Sequence, residues 1–165
     1  MPHPTDDFVA VYTQHLPAVS AYLARRVDRD DVDDLAADTF AIAWRKRDQV
    51  AAGDELPWLY RIASYQVANH RRRLAARQSV LGLLSAPDSA PAADAFLSED
   101  ARLARAWARL SSAEREVLAL VIVDDLPVAQ VAIALGVTPN AVSVRLHRAK
   151  KALAAALSAE PDAEA

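Results

Sequence analysis

The stretch from Leu126 to Leu153, LPVAQVAIALGVTPNAVSVRLHRAKKAL, constrains the fold more than any other part of the chain. Val131, Leu135, Val137, Val142 and Leu146 are spaced to hold two short helices together across a tight turn. Gly136 stands at that turn, where a positive φ is needed and glycine adopts it cheaply. Ala132 is small enough to let the two helices approach closely. Thr138 followed by Pro139 marks a helix start, with threonine capping orphan N–H groups and proline arriving with its φ already set. Beyond it Val142, Leu146, Ala149 and Leu153 fall on one face, which leaves Asn140, Ser143, Val144, His147 and Arg148 outward. An amphipathic hairpin without function would share the apolar spacing. Turn glycine, cap, proline and the terminal bases Arg145, Arg148, Lys150 and Lys151 all agree instead on a DNA-binding helix-turn-helix, its outer face meeting a major groove.

The formal net charge of −3 looks wrong for a DNA binder until it is resolved along the chain. Asp6, Asp7, Asp28, Asp30, Asp31, Asp33, Asp34 and Asp38 crowd the first part, opposed there by Arg25, Arg26 and Arg29. From Arg61 to Arg77 the balance reverses, with Arg61, Arg71, Arg72, Arg73 and Arg77 and no acid. Segregated charge implies segregated partners, one basic and at least one polyanionic. Apolar residues make up 53% of the chain, but much of that is alanine, and the three glycines suit helices better than sheets. Without cysteine there is neither disulfide nor thiolate chemistry. The polar start MPHPTDDF resembles no signal peptide and no apolar run approaches a membrane span, so a cytoplasmic protein without membrane insertion is expected.

Phe8, Tyr12, Leu16, Val19 and Leu23 recur at helical spacing, and Pro17 is expected to divide this segment into two helices. A further helix should run from near Asp30 to about Arg47, with Leu35, Phe40, Ala43 and Trp44 on its apolar side. Asp31, Asp34 and Asp38 share another side. Helix-dipole preference explains acids in the first turn, but Asp38 lies too far in for it. An EF-hand fails here, because Val32 stands where a ligand belongs and the turn glycine is missing. His3, His15, His70 and His147 have no metal-ligand spacing either, so no metal and no cofactor are expected.

Gly53 and Pro57 mark a loop between Asp48 and Pro57. Trp58 to Arg73 then reads as a helix with Leu59, Ile62, Val67 and Leu74 facing in and arginines at its end, which in any soluble protein would suit the helix C-terminus. Trp58, Tyr60 and Tyr65 beside Arg61 suit stacking on unpaired bases while arginines hold phosphates. Trp58 is expected to be partly core and Tyr65 more exposed. Residues from about Gln78 to Phe96 lack helical periodicity and read as a flexible linker. A second helical unit follows, with Leu103, Trp107 and Leu110 as a stripe. Ser111-Ser112-Ala113-Glu114 has capping-box spacing ahead of Val117, Leu118, Leu120 and Val121. The segment after Leu157 is acidic and expected to fray.

Three segments in this order resemble bacterial sigma factors of the extracytoplasmic-function (ECF) type: DDVDDLAADTFAIAWR, LPWLYRIASYQVANHRRR, and LSSAEREVLALVIVDDLPVAQVAIALGVTPNAVSVRLHRAKKAL. The resemblance spans Phe8 to Leu157. It implies an all-α protein of two small helical domains, sigma region two over 1–77 and sigma region four with its helix-turn-helix over 98–157, joined by the linker at 78–97 and followed by a tail at 158–165. It also implies that Asp31, Asp34 and Asp38 dock the clamp helices of the largest subunit of core RNA polymerase. Trp58, Arg61, Tyr65, Asn69, Arg71, Arg72 and Arg73 would open and hold the minus-ten element of promoter DNA. Thr138, Asn140, Ser143, Val144, Arg145, His147 and Arg148 would serve the minus-thirty-five element, with Arg145 and Arg148 on phosphates and the other face on the flap of the second-largest subunit. An anti-sigma factor is a further partner many members have.

The chain departs from the family at Ala37, where glutamine is usual, and at Ser64-Tyr65, where arginine-asparagine is common. Ser143 and Val144 replace residues that are often basic and serine. Valine can pack on a thymine methyl but cannot hydrogen-bond a base edge, so direct readout by this helix is expected to be thin. A stand-alone helix-turn-helix regulator is the competing reading. A receiver domain would need alternating strands, which the first half does not show. No glycine-rich phosphate loop and no Ser-His-Asp grouping is present, so no catalytic residue and no enzyme activity is expected.

Overall fold

A computed structural model describes residues 4–80 and 101–159, and the chain divides into two compact helical units. The first unit holds α1 (Pro4–Ala24), α2 (Val32–Arg45) and α3 (Glu55–Val80), each packed on the other two. The second holds α4 (Ala101–Ala108), α5 (Ser112–Leu118), α6 (Val128–Leu135) and α7 (Pro139–Ala159). No strand occurs among the described residues. No helix of theirs is long and apolar enough to cross a membrane.

The core of the first unit gathers the inward stripes of the three helices: Val19, Tyr22 and Leu23 from α1, Leu35, Phe40 and Ala43 from α2, Leu59, Tyr60, Ile62 and Val67 from α3. The stripe on α1 is buried only at its C-terminal half. Tyr12 stays 41% exposed while its ring meets Phe40 edge-on at 4.8 Å, and Phe8 meets Trp44 at 5.0 Å. Among the described residues Thr39 is the one buried polar side chain of this core, and its hydroxyl donates to the Leu35 carbonyl at 2.7 Å. That bond removes most of the cost of burying it.

Pro17 does not divide the first helix: α1 runs through it without a break. An interior proline costs roughly 3 kcal/mol. Its ring sits on the exposed side, and burial of Val19, Tyr22 and Leu23 just beyond it holds the C-terminal turns in place. Leu74 is a second departure, 38% exposed instead of facing in. Residues 71–79 of α3 are all exposed, and Leu74 borders an open cavity it shares with Leu35 of α2 instead of a closed core. The helix also continues to Val80, which makes the first residues expected of the linker helical; the remainder of the linker lies outside the described residues, as does the tail beyond Ala159.

In the second unit the capping box forms as its spacing predicts. Ser111 Oγ accepts from the Glu114 N–H at 3.2 Å, and the Ser111 N–H donates to Glu114 Oε2 at 2.8 Å. Instead of ending, α5 passes into a π-helical turn, Ala119–Val123, in which the Asp124 N–H reaches back to the Ala119 carbonyl at 3.1 Å. The wider turn leaves Ile122 60% exposed while Leu118 and Leu120 stay buried. At the far end of the unit, the guanidinium of Arg102 on α4 donates to the Leu157 carbonyl at 2.9 Å, fastening the last turns of α7.

Candidate nucleic-acid and protein interfaces

The turn between α6 and α7 is built as its residues dictate. Gly136 adopts φ 65°, in the left-handed region, and its N–H and that of Val137 close back on Ile133 and Ala132. Thr138 Oγ1 then accepts from the Ala141 N–H at 3.2 Å, capping α7, and Pro139 takes its first position. Val131, Ala132, Val142 and Ala149 are buried between the helices, with Leu135, Val137, Leu146 and Leu153 half-buried around them.

With that side of α7 committed, about 3.6 residues per turn place Asn140, Val144, His147 and Lys151 in a line on the opposite side, and all are exposed. Ser143 and Arg148 flank the line, also exposed. Arg145 is exposed too but lies nearer the buried stripe, where it can reach past the helix edge. The Ser143 hydroxyl donates to the Pro139 carbonyl at 3.2 Å, so its proton is spent within the helix and only its lone pairs face outward. Thr138 likewise serves as the cap. Lys151 was expected only as part of the basic cluster that closes the helix-turn-helix, not on this line. Its position one turn beyond His147 was the available signal.

On α3 the structure sorts the expected residues into three directions. Trp58, Arg61, Tyr65, Asn69 and Arg72 fall on one stripe, exposed except for half-buried Trp58. Within it Arg61 Nη2 donates to Tyr65 Oη at 3.4 Å, and the Arg72 guanidinium donates to Asn69 Oδ1. Tyr65 is 56% exposed, whereas Tyr60 is 1% exposed and stacks on Tyr22 with ring centroids 4.6 Å apart. Tyr60 is therefore core and has no face left for a base. Arg71 turns to another side and donates to the Arg26 carbonyl at 3.2 Å, just past the end of α1, where Arg26 itself lies over the Tyr22 ring.

Arg73 takes the third direction, toward α2. Asp31, Asp34, Leu35 and Asp38 of α2 and its entry turn, with His70, Arg73, Leu74 and Arg77 of α3, line one cavity of about 240 Å³. His70 Nε2 lies 3.1 Å from an Asp31 carboxylate oxygen without the alignment of a hydrogen bond. Asp34 and Asp38 are exposed and Asp31 half-buried. His70 and Arg77 were not among the expected site residues; their spacing with Arg73 and Leu74 is the same helical period as that of the four α2 residues they face.

The loop before α3 turns at Gly53, φ 90°, whose N–H donates to Glu55 Oε2 at 2.9 Å. Trp58 borders a second cavity of about 200 Å³ beside this loop, with Phe8, Val11 and Val50. Burial lowers the pKa of His15 below the ordinary imidazole value against an opposing pull from the Glu55 carboxylate, so this histidine is neutral near pH 7. Among the described residues no group of three or more His, Cys, Asp or Glu is placed to hold a metal.

A three-helix unit with an aromatic and arginine stripe, together with a separate helix-turn-helix unit, defines a two-domain helical DNA-binding protein. Residues 11–77 match the family model described as Sigma-70 region 2, and residues 100–153 match Sigma-70, region 4. The chain is 32% identical over 141 residues to the RNA polymerase sigma factor NccH of Alcaligenes xylosoxydans xylosoxydans, covering 79% of this chain and 75% of that one. It is 32% identical over 144 residues to the ECF RNA polymerase sigma factor SigF of Caulobacter vibrioides, covering 81% and 76%. A solved structure of CnrH in complex with the cytosolic domain of CnrY has the same fold, with a TM-score of 0.62 and 26% identity over 93% of this chain and 89% of that one. The chain belongs to the ECF-type sigma factors. It is a transcription-initiation protein that binds core RNA polymerase and promoter DNA, and the stand-alone regulator is not favoured.

Proposed function

We propose that the two exposed faces of the first unit divide the labour of initiation. Asp31, Asp34 and Asp38 dock the basic clamp helices of the largest polymerase subunit. The stripe Trp58, Arg61, Tyr65, Asn69 and Arg72 holds the non-template strand of the melted minus-ten element, its rings on bases and its guanidiniums on phosphates. Arg71 and Arg73, on other sides of α3, assist from the flanks. The observation that carries this reading is the pairing, on one three-helix unit, of exposed carboxylates on α2 with an exposed aromatic and arginine stripe on α3.

In the second unit, Asn140, Val144 and His147 face the bases of the minus-thirty-five duplex, Val144 by contact with a thymine methyl. Ser143 presents lone pairs, Arg145 and Arg148 hold phosphates, and Thr138 sets the entry angle of α7. The exposed apolar pair Ile122 and Val123 suits the polymerase flap. The protein acts as a specificity subunit in the cytoplasm, with no catalytic step of its own. CnrH is solved with the cytosolic domain of CnrY, which supports an anti-sigma partner for this chain as well.

Reversal of charge on the docking face is the test. Asp34→Lys with Asp38→Lys is expected to weaken core-polymerase binding at least about tenfold, since like charges then meet the clamp. Far-UV circular dichroism should stay unchanged, because both side chains are exposed. Unaltered core binding by the folded variant would remove the docking assignment.

A further inference from the structure

We infer that the cavity of about 200 Å³ in the first unit binds a small organic cation, an ammonium or guanidinium group carried on a short aliphatic stem. Three elements of that unit meet there: the N-terminal turns of α1, the turn after α2 and the first turn of α3. Phe8 and Val11 from α1, Val50 from the turn and Trp58 from α3 make an apolar wall. Asp7, Asp48 and Glu55 add one carboxylate from each element to the same space. Apolar walls with a few charged groups are how proteins hold small molecules, the walls taking the stem and the charges fixing the head. The size suits such a molecule, since an apolar cavity of about 150 Å³ already admits benzene.

The sign of the ligand follows from the charge left over. Arg47 is the one arginine or lysine on the lining, and its guanidinium is already engaged. It lies 4.0 Å over the Trp44 ring and donates through Nη1 to the Trp44 carbonyl at 2.7 Å. Glu55 gives Oε2 to the Gly53 N–H, whereas Asp7 and Asp48 make no ion pair or hydrogen bond among the described residues. His15, which feels the Glu55 carboxylate, is neutral near pH 7 and adds no opposing charge. A cation in this space meets carboxylates and aromatic rings together, and both attract it. Arg47 on Trp44 and Arg26 on Tyr22 show the unit already holding its own guanidiniums on rings. The cavity between α2 and α3 is the contrast: its three aspartates face two arginines and a histidine, and no Phe, Tyr or Trp lines it. The inference stands apart from the docking and promoter assignments above.

The experiment titrates n-butylguanidinium into the isotope-labelled full chain and follows by NMR the indole N–H signals of Trp44, Trp58 and Trp107, assigned with Trp→Phe variants. The Trp58 signal is expected to shift and saturate in the millimolar range, while that of Trp107, in the other unit, stays fixed. n-Butanol, the stem without the charge, and guanidinium, the charge without the stem, should each bind at least about tenfold more weakly. Asp7→Asn with Asp48→Asn should weaken n-butylguanidinium about tenfold and leave n-butanol unchanged. Both side chains are exposed, so the fold is kept. Asp30→Asn with Asp33→Asn makes the same change in net charge away from the cavity and should cost less than about twofold. N-acetylarginine methylamide separates two sources of this chemistry: binding equal to that of n-butylguanidinium assigns the cation to a side chain of a protein partner, and exclusion assigns it to a free amine or guanidine. No saturable Trp58 shift with n-butylguanidinium, equal binding of n-butanol, or equal losses from the two asparagine pairs overturns the site.

Discussion

Gly136 shows how much one residue can settle. Its φ of 65° is the left-handed turn that the neighbouring sequence required, and alanine there would carry a Cβ into a conformation costing about 1–2 kcal/mol. Gly136→Ala is therefore expected to lower the stability of the second unit by that amount, read as a shift in its thermal or urea transition. A transition unmoved by the substitution would mean that the turn relaxes to another conformation. This residue was legible because φ > 0 is a local demand and glycine is its usual answer. The same holds for the Thr138 cap and the Ser111–Glu114 capping box, which close over three residues. Arg71 was not legible. Its partner is the carbonyl of Arg26, 45 positions away, and no local rule reveals which neighbour an outward arginine will meet.

At the level of elements, periodicity assigned faces well and extents less well. It placed Leu59, Ile62 and Val67 inward correctly, and it misjudged Leu74 because a repeat in sequence does not reveal that the space between α2 and α3 opens into a cavity there. Tyr60 was misread for a related reason: interleaving with arginine suggested a stacking face, but the residue points at Tyr22 across the core. The break expected at Pro17 failed because packing of α1 outweighs the lost hydrogen bond. These corrections sharpen the reading of α3. Arg72 lies on the exposed stripe and Arg71 does not, so in complex with core polymerase Arg72→Ala should reduce the salt dependence of binding to minus-ten single strand by about 0.7 in log–log slope. Arg71→Ala should leave the slope unchanged. Equal slopes for the two variants would return the arginine cluster to an undivided basic patch.

For the whole molecule, the charge map in the sequence already implied one basic and at least one polyanionic partner, and the family supplies them as polymerase and promoter. What the one-dimensional map hid is that the two charged regions of the first unit meet at a common cavity. On the proposed docking, a net charge of −3 is compatible with DNA binding, because the acids lie on the face assigned to a basic subunit. The second unit adds α7, whose exposed line carries one amide, one valine, one histidine and one lysine, and whose flanking serine has its proton already spent. As the proposed reading face it is expected to lean on thymine methyl contact, phosphates and duplex shape. Transcription by purified core polymerase from a randomised promoter library, with and without the protein, tests the account as a whole. Transcripts that depend on the protein and share both a minus-ten and a minus-thirty-five element are the expected result. The same transcripts from core polymerase alone, or dependence on the protein with no shared element, would contradict it.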